Sequence, residues 1–141
     1  MRQRSSKNSR PCENLAFRRE YMSRHSYCEM SAWLSSQARD EIPGLQRRET
    51  ATDPHHLFGG NGRRCDVALN LLAVCHVVHT WAHANLKESR TLGIWLKVRA
   101  GLFDPAVFKS VSGLFVEGWL ETHRPREPFV RLWDELVKKL S

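Results

Sequence analysis

The sequence contains no long apolar run. None of its hydrophobic stretches approaches the roughly 18 residues that a membrane-spanning helix needs. After Met1 the first ten residues are polar and basic, so they lack the apolar segment of a secretory leader. No internal repeat is visible either. These absences predict a cytoplasmic protein without a membrane partner.

The cysteines also lack a secretory context. The four cysteines are Cys12, Cys28, Cys65 and Cys75. The reducing environment of a cytoplasm favours thiols or metal ligands over disulfide bonds. We therefore expect these side chains to be free thiols or ligands.

Acidic residues are outnumbered by basic ones. The chain of 141 residues has 15 Asp and Glu against 22 Lys and Arg, which gives a net charge of +7. Such an excess favours a polyanionic partner, because phosphate contacts release condensed counterions. A basic protein without such a partner would have the same composition. The length fits one domain, in which residues 1–12 are expected to be a disordered basic tail that either contacts phosphates or is simply solvated.

Apolar spacing and turn residues predict a mixture of short helices and strands. Helices are expected at about 13–24, 76–84 and 128–140, with a further short helix starting at Asp104-Pro105. Extended segments are expected at about 46–52, 69–74, 94–98 and 111–120, and a glycine-rich loop at 58–66. Residues 33–49 should form a polar connection, and Gly93 should end the helix that follows Asn85.

Histidine is concentrated in residues 53–90. Five of the seven histidines lie there: His55, His56, His76, His79 and His83. On the predicted helix His79 and His83 stand one turn apart, where two imidazoles can hold one divalent ion. A zinc protease uses the same spacing but needs a glutamate directly after the first histidine, where this chain has Thr80. A solvated histidine face is the simpler interpretation of the helix alone, and His76 has no predicted role.

The adjacent pair His55-His56 can supply what His79 and His83 lack. Neighbouring side chains of an extended segment point to opposite faces. One member of the pair can therefore complete a metal site while the other stays free for proton transfer. A neutral imidazole, with its pKa near neutrality, suits a general base that activates water. Such a set can hydrolyse phosphodiesters with one ion and one base.

The order of these residues resembles that of the HNH endonucleases, also called ββα-metal nucleases. Members carry a His-His or Asp-His pair on a first strand, an Asn on the next segment, and a His or His-x3-His on a helix. This chain offers His55-His56, then Asn70, then His79 and His83. From Asn70 onward it reads NLLAVCHVVHTWAHANLKESRTLG, which is similar to the pattern of phage-associated HNH proteins. The resemblance covers roughly residues 27–95.

The resemblance implies an α+β fold with a small ββα-metal core and flanking helices. Residues 13–100 would form the nuclease domain, and residues 101–141 a C-terminal strand and helix extension packed on or beside it. The implied function is metal-dependent hydrolysis of DNA in the cytoplasm of a bacterial or phage-infected cell. By position, His56 would be the general base, and the metal ligands would be His55, His79 and His83. Asn70 would either bind the ion or hold the base histidine in place.

The implied cofactor is one divalent ion: Mg, Mn, Ni or Zn, since histidine in the first ligand position permits the softer metals. Many phage HNH proteins also hold a structural zinc on two Cys-x2-Cys pairs. Here each pair keeps only its first cysteine, Cys28 and Cys75. Because a tetrahedral site needs four ligands, we expect no structural zinc unless Cys12, Cys65 or His76 substitutes.

The implied partner is double-stranded DNA, and a homodimer is an option. Four basic residues near the predicted site are candidates for phosphate contact, with ordinary surface charge as the alternative: Arg63, Arg64, Lys87 and Arg90. No feature encodes base-specific readout. The alternative function is a catalytically inactive HNH-fold module that binds DNA or a protein partner.

Overall fold

A computed structural model describes residues 12–59 and 64–141. These residues form an α+β fold with seven α-helices and a two-stranded antiparallel sheet. The α+β class predicted from the sequence is confirmed. Apart from Cys12, the predicted basic tail lies outside the described residues.

The helices of the described residues are α1 (Leu15–Arg24), α2 (Ser31–Gln37), α3 (His76–Ala84), α4 (Leu86–Arg99), α5 (Pro105–Ser112), α6 (Val116–Thr122) and α7 (Val130–Leu140). Between α2 and α3 come the strands β1 (Asp53–His56) and β2 (Leu71–Val74), with a 3₁₀ turn (Ala68–Asn70) before β2. Side-chain caps begin two of the helices. Asn14 accepts from the N–H of Phe17 at 3.0 Å, and Asp104, which precedes Pro105, accepts from the N–H of Ala106 at 2.9 Å.

The two strands form a hairpin that leads directly into α3. Its register pairs His55 with Leu72 and His56 with Leu71. All four residues of β2 are buried, so the strand is apolar on both faces. Cys75 is both the residue after β2 and the N-cap of α3. The short connection places α3 against β1, on the face where Asp53 and His55 share the two-residue period of a strand.

One hydrophobic core joins the hairpin, α2 to α4 and the C-terminal helices. Among its buried members are Leu34, Leu72, Val78, Ile94, Phe108, Trp119, Leu132 and Leu136. Helix α7 packs along α4 and buries Leu132, Trp133 and Leu136. Residues 101–141 therefore pack on the rest of the chain. Among the described helices, none combines the length and the apolar character needed to cross a membrane.

The structure corrects several predicted elements. Residues 33–49 are not only a connection, because helix α2 extends to Gln37. The first strand begins at Asp53, and the segment 46–52 contributes a single bridge, from Thr50 to Tyr27. Residues 94–98 are not a strand, and Gly93 does not end a helix, since both lie within α4. Residues 111–120 are not extended, because they contain the end of α5 and most of α6. The C-terminal extension is therefore helical.

The expectation of free thiols or ligands is wrong for two of the four cysteines. Cys12 and Cys65 form a disulfide across a sequence separation of 53 residues. Because they are bonded to each other, they do not replace the cysteines missing from the predicted zinc pairs. Cys28 and Cys75 are free and buried. Burial, together with the neighbouring Cys28, raises the pKa of the Cys75 thiol to about 11.

Candidate metal centre and active site

Three histidines from two elements converge where the hairpin meets α3. His55 belongs to β1, and His79 and His83 belong to α3. One ring nitrogen of each lies within 4.8 Å of the others. The Nε2 atoms of His79 and His83 are 3.1 Å apart. The structure thus brings together the three residues that the sequence proposes as metal ligands.

His55 is the buried member of this histidine cluster (His55, His79 and His83). Only 3% of its surface is exposed, and neither ring nitrogen has a hydrogen-bond partner among the described residues. A buried imidazole without a partner is costly unless another group contacts it. Burial, followed by the nearby His79 and His83, lowers the pKa of His55 to about 3. The ring is therefore neutral, and a nitrogen lone pair is available.

The donor set fits a divalent ion that prefers nitrogen ligands. Burial also lowers the pKa of His83, which favours the neutral ring that a metal needs. In the described part of the chain, no carboxylate belongs to the histidine cluster. Three imidazole ligands suit zinc or nickel best, and leave coordination positions for water and substrate.

Asp53 lies beside the histidine cluster, on the same face of β1 as His55. Its Oδ2 accepts from Nδ1–H of His79 at 2.9 Å and from Nδ1–H of His76 at 3.2 Å. Its Oδ1 accepts from the hydroxyl of Thr52 at 2.8 Å. The hydrogen bond from His79 is the main reason that the pKa of Asp53 falls to about 2. His76 thus contacts the carboxylate that supports a proposed ligand, while remaining largely exposed itself.

His56 points away from the histidine cluster and meets a different carboxylate. Its Nε2 lies 2.8 Å from Oδ1 of Asp66. Because an ionised carboxylate can only accept, Nε2 carries the proton and Nδ1 is left as an acceptor. Burial lowers the pKa of His56, although Asp66 partly offsets this effect. At neutral pH the ring is therefore neutral, which is the form that a general base requires.

Asp66 is held in turn by the N-terminal segment. Its buried carboxylate accepts from Nε and Nη2 of Arg18 at 2.9 and 3.0 Å, and from the backbone N–H of Asn14 at 2.6 Å. Its own N–H donates to the carbonyl of Cys12 at 2.7 Å. Burial raises the pKa of Asp66, but the hydrogen bonds from Arg18, Asn14 and His56 outweigh it, so the net shift is downward. Asp66 is therefore an ionised and rigid partner for His56.

A cavity of about 520 Å³ joins these groups. All four proposed catalytic and ligand histidines line it, together with three arginines: His55, His56, His79, His83, Arg18, Arg64 and Arg90. The predicted ligands and the predicted base thus open onto one space.

Arg90 brings a half-buried positive charge to the cavity. Its Nε donates to the carbonyl of Leu57 at 2.8 Å, and its guanidinium lies 4.7 Å from the ring centre of Phe58. No ion pair within the described residues involves Arg90, so carboxylates there do not neutralise it. Burial lowers the pKa of Arg90, yet an arginine stays protonated in proteins. A fixed cation of this kind favours an anionic ligand.

Asn70 occupies a structural position instead of a place in the cavity. Its fully buried amide accepts from the N–H of Phe58 at 2.9 Å and donates to the carbonyls of Phe58 and Cys65 at 2.9 and 3.0 Å. Among the described residues these hydrogen bonds go to backbone groups, and none joins Asn70 to the histidine cluster or to His56. Both predicted roles, binding the ion and holding the base histidine, stay predictions. Asn70 fixes the backbone on both sides of the loop that follows His56.

Of the four basic residues predicted to contact phosphate, two line the cavity. Arg64 and Arg90 line the cavity. Lys87 is exposed on α4 and is not among the residues that line it. Arg63 lies outside the described residues.

Sequence reasoning missed Asp53, Asp66 and Arg18. Asp53 had a usable signal, because it stands two residues before His55 and so shares its face of the strand. Asp66 and Arg18 had none. Their contacts with His56 and with each other span 10 and 48 residues of sequence, and only the closed fold reveals them.

Comparison with protein-family models, with curated proteins and with solved structures finds no match to this chain. The resemblance to HNH endonucleases thus stays a prediction based on its residues. What the site can do follows from its contacts, its burial and its charge.

Proposed function

We propose that this chain is a metal-dependent endonuclease of the HNH type that hydrolyses DNA phosphodiester bonds. The observation that carries the proposal is the convergence of three histidine nitrogens, with those of His55 lacking any partner in the described residues, in a cavity that also holds His56 and Arg90. The hairpin followed at once by α3 is compatible with the ββα-metal core that the resemblance implies.

His55, His79 and His83 would hold the ion. When bound, a divalent ion supplies positive charge beside the scissile phosphate and stabilises the leaving oxygen. Two ligands are already fixed: His55 by burial, and His79 by its hydrogen bond to Asp53. Fixed ligands need little reorganisation when the ion and the substrate bind.

His56 is the proposed general base. Its Nδ1 accepts a proton from water, the oxygen of that water bonds to phosphorus, and the bond from phosphorus to the 3′ oxygen breaks. The 3′ oxygen takes a proton from solvent. Asp66 keeps Nε2–H of His56 in place and stabilises the ring after it is protonated. By the family resemblance the products are a 5′-phosphate and a 3′-hydroxyl.

The charges around the cavity favour a phosphate. Arg90 has no carboxylate partner in the described residues, and Arg64 lines the same cavity. The two carboxylates near the cavity already have hydrogen-bond donors. Asp53 accepts from His79, and Asp66 accepts from Arg18 and His56. The net charge of +7 over the whole chain adds attraction for DNA.

The test is a plasmid-nicking assay with Mg²⁺, Mn²⁺, Ni²⁺ and Zn²⁺, each against EDTA. We expect metal-dependent nicking by the wild type. His56→Ala should lower the nicking rate by at least about 100-fold, because general-base catalysis typically contributes that much or more. Metal binding, measured by calorimetry, should be retained. His123→Ala is the matched control, since that histidine stacks on Trp119 and does not line the cavity.

Two results would contradict the proposal in different ways. Full nicking by His56→Ala would remove His56 from the role of base. Absence of nicking with every metal, while the wild type still binds DNA, would favour the catalytically inactive module.

A further inference from the structure

Asp53 holds a metal-ligand candidate without being one itself. Its Oδ2 is 2.9 Å from Nδ1 of His79 and 3.2 Å from Nδ1 of His76, and its Oδ1 is 2.8 Å from the hydroxyl of Thr52. Both carboxylate oxygens therefore have donors. The ring nitrogens that approach one another within 4.8 Å belong to the histidine cluster, and Asp53 is not a member of it.

The contact with Asp53 decides which nitrogen of His79 carries the proton. A carboxylate accepts and does not donate, so Nδ1 of His79 must be protonated. The lone pair is then on Nε2, the atom that lies 3.1 Å from Nε2 of His83. The ring is thereby held in the one neutral tautomer whose free nitrogen lies beside His83.

We propose that Asp53 is a positioning residue of the metal centre, which selects the Nδ1–H tautomer of His79 and so sets the affinity for the ion. This inference rests on the proposed metal centre and adds to it a residue that does not contact the ion. Carboxylates that orient a ligating histidine change metal affinity by about 10–100-fold when they are removed. The same carboxylate also makes the bound ring a better donor to the ion, because it attracts the proton on Nδ1.

The experiment is calorimetric titration of the full chain with Zn²⁺, alongside thermal melting in EDTA. Asp53→Ala should weaken Zn²⁺ binding by about 10–100-fold. Asp53→Asn should weaken Zn²⁺ binding less than Asp53→Ala does, since the amide oxygen of asparagine still accepts from Nδ1–H of His79. His76→Ala is the matched control, because it removes the other histidine hydrogen bond to the same oxygen and leaves His79 in place. Its affinity should stay within about threefold of the wild type.

The melting temperature in EDTA separates positioning from folding. For a positioning residue, the apo form of Asp53→Ala melts close to the wild type while its Zn²⁺ affinity falls. If the variant fails to fold, the tautomer is read instead from long-range ¹H–¹⁵N correlations of the wild-type imidazoles. The proposal requires the Nδ1–H form of His79, and an Nε2–H form would overturn it.

The remaining outcomes distinguish this inference from the function on which it rests. A wild type that binds no Zn²⁺ overturns both the metal centre and the role of Asp53. A wild type that binds Zn²⁺, with an equal affinity in Asp53→Ala, overturns only the role of Asp53. Neither conclusion depends on nuclease activity, because both are drawn from Zn²⁺ binding.

Discussion

At the scale of single residues, Lys97 is a cation inside the protein, with 2% of its surface exposed. Its Nζ donates to the hydroxyl of Tyr21 at 2.9 Å, and that hydroxyl donates to Oε2 of Glu29 at 2.6 Å. Burial lowers the pKa of Lys97 to about 8, although Glu29 partly offsets the shift. The three side chains connect α4 with α1 and with the segment before α2, so the protonation of Lys97 is linked to folding.

The lowered pKa of Lys97 predicts a rise in stability with pH. From about pH 8 to the usual lysine pKa of 10.5, the unfolded chain keeps a proton that the folded chain has lost. The free energy of unfolding therefore rises through this window, and below it the cost of burying the charge is constant. In urea unfolding, the free energy of unfolding of the wild type should rise relative to that of Lys97→Met by about 1 kcal/mol per pH unit above pH 8.

The quantity to measure is the difference in the free energy of unfolding between the wild type and Lys97→Met, because the contributions of other groups that titrate at high pH cancel in this difference. Lys109→Met is the control, since Lys109 is exposed and lies over the ring of Phe115. Its difference from the wild type should not change with pH. A constant difference for Lys97→Met as well would contradict the prediction.

The residues of the candidate site divide into those that the sequence reveals and those that it hides. His79 and His83 could be selected from the helical period, whereas the choice of His55 over His56 as the third ligand came from the family resemblance. Asp53 follows from the period of the strand. Asp66, the hydrogen-bond partner of the His56 ring, could not be selected, since its place depends on how a loop and the N-terminal segment close around it.

At the scale of secondary structure elements, Gly93 sits inside α4 and against the hairpin. A Cβ added there would collide with the side chain of Leu57, the residue after His56. Overpacking of this kind costs about 1–3 kcal/mol, whereas alanine gains at most about 1 kcal/mol over glycine in a helix. Gly93→Ala is therefore expected to lower the free energy of unfolding, measured in urea, by about 1 kcal/mol.

Gly118 in α6 is the matched control for Gly93. A Cβ at Gly118 meets no atom within 4 Å, so Gly118→Ala should raise the free energy of unfolding by about 0.5–1 kcal/mol. Opposite signs at the two glycines are the expected result. A gain in stability at both would show that Leu57 moves aside without cost.

Helices α3 and α4 show where the prediction of secondary structure from the sequence succeeds and where it fails. Helix α3 has apolar residues on one side and histidines on the other, and its observed bounds, His76–Ala84, agree with the prediction. Helix α4 is buried nearly all round through its second half, including Gly93, Ile94, Trp95 and Lys97. Such a segment has no amphipathic period, so its glycine and β-branched residues suggested a stop and a strand. Contact with Leu57 and α7 decides the outcome, and these contacts are not local in sequence.

At the scale of the whole molecule, the Cys12–Cys65 disulfide joins two segments that are distant in sequence. It spans 53 residues and ties the segment before α1 to the residue next to Asp66. The N–H of Asp66 donates to the carbonyl of Cys12 at 2.7 Å beside it. The bond therefore links the start of the described chain to the loop that supports His56.

Loss of this disulfide should lower the stability of the whole fold. A loop of this length restricts the unfolded chain enough to contribute about 4 kcal/mol in the chain-entropy account. In urea unfolding, the wild type should lose roughly that amount on addition of dithiothreitol. The double variant Cys12→Ser, Cys65→Ser should match the reduced wild type and should not respond to the reductant. Cys28 and Cys75 are already free thiols, so they contribute nothing to the difference. Equal stability of the wild type with and without reductant would mean that the disulfide does not contribute to the stability of the fold.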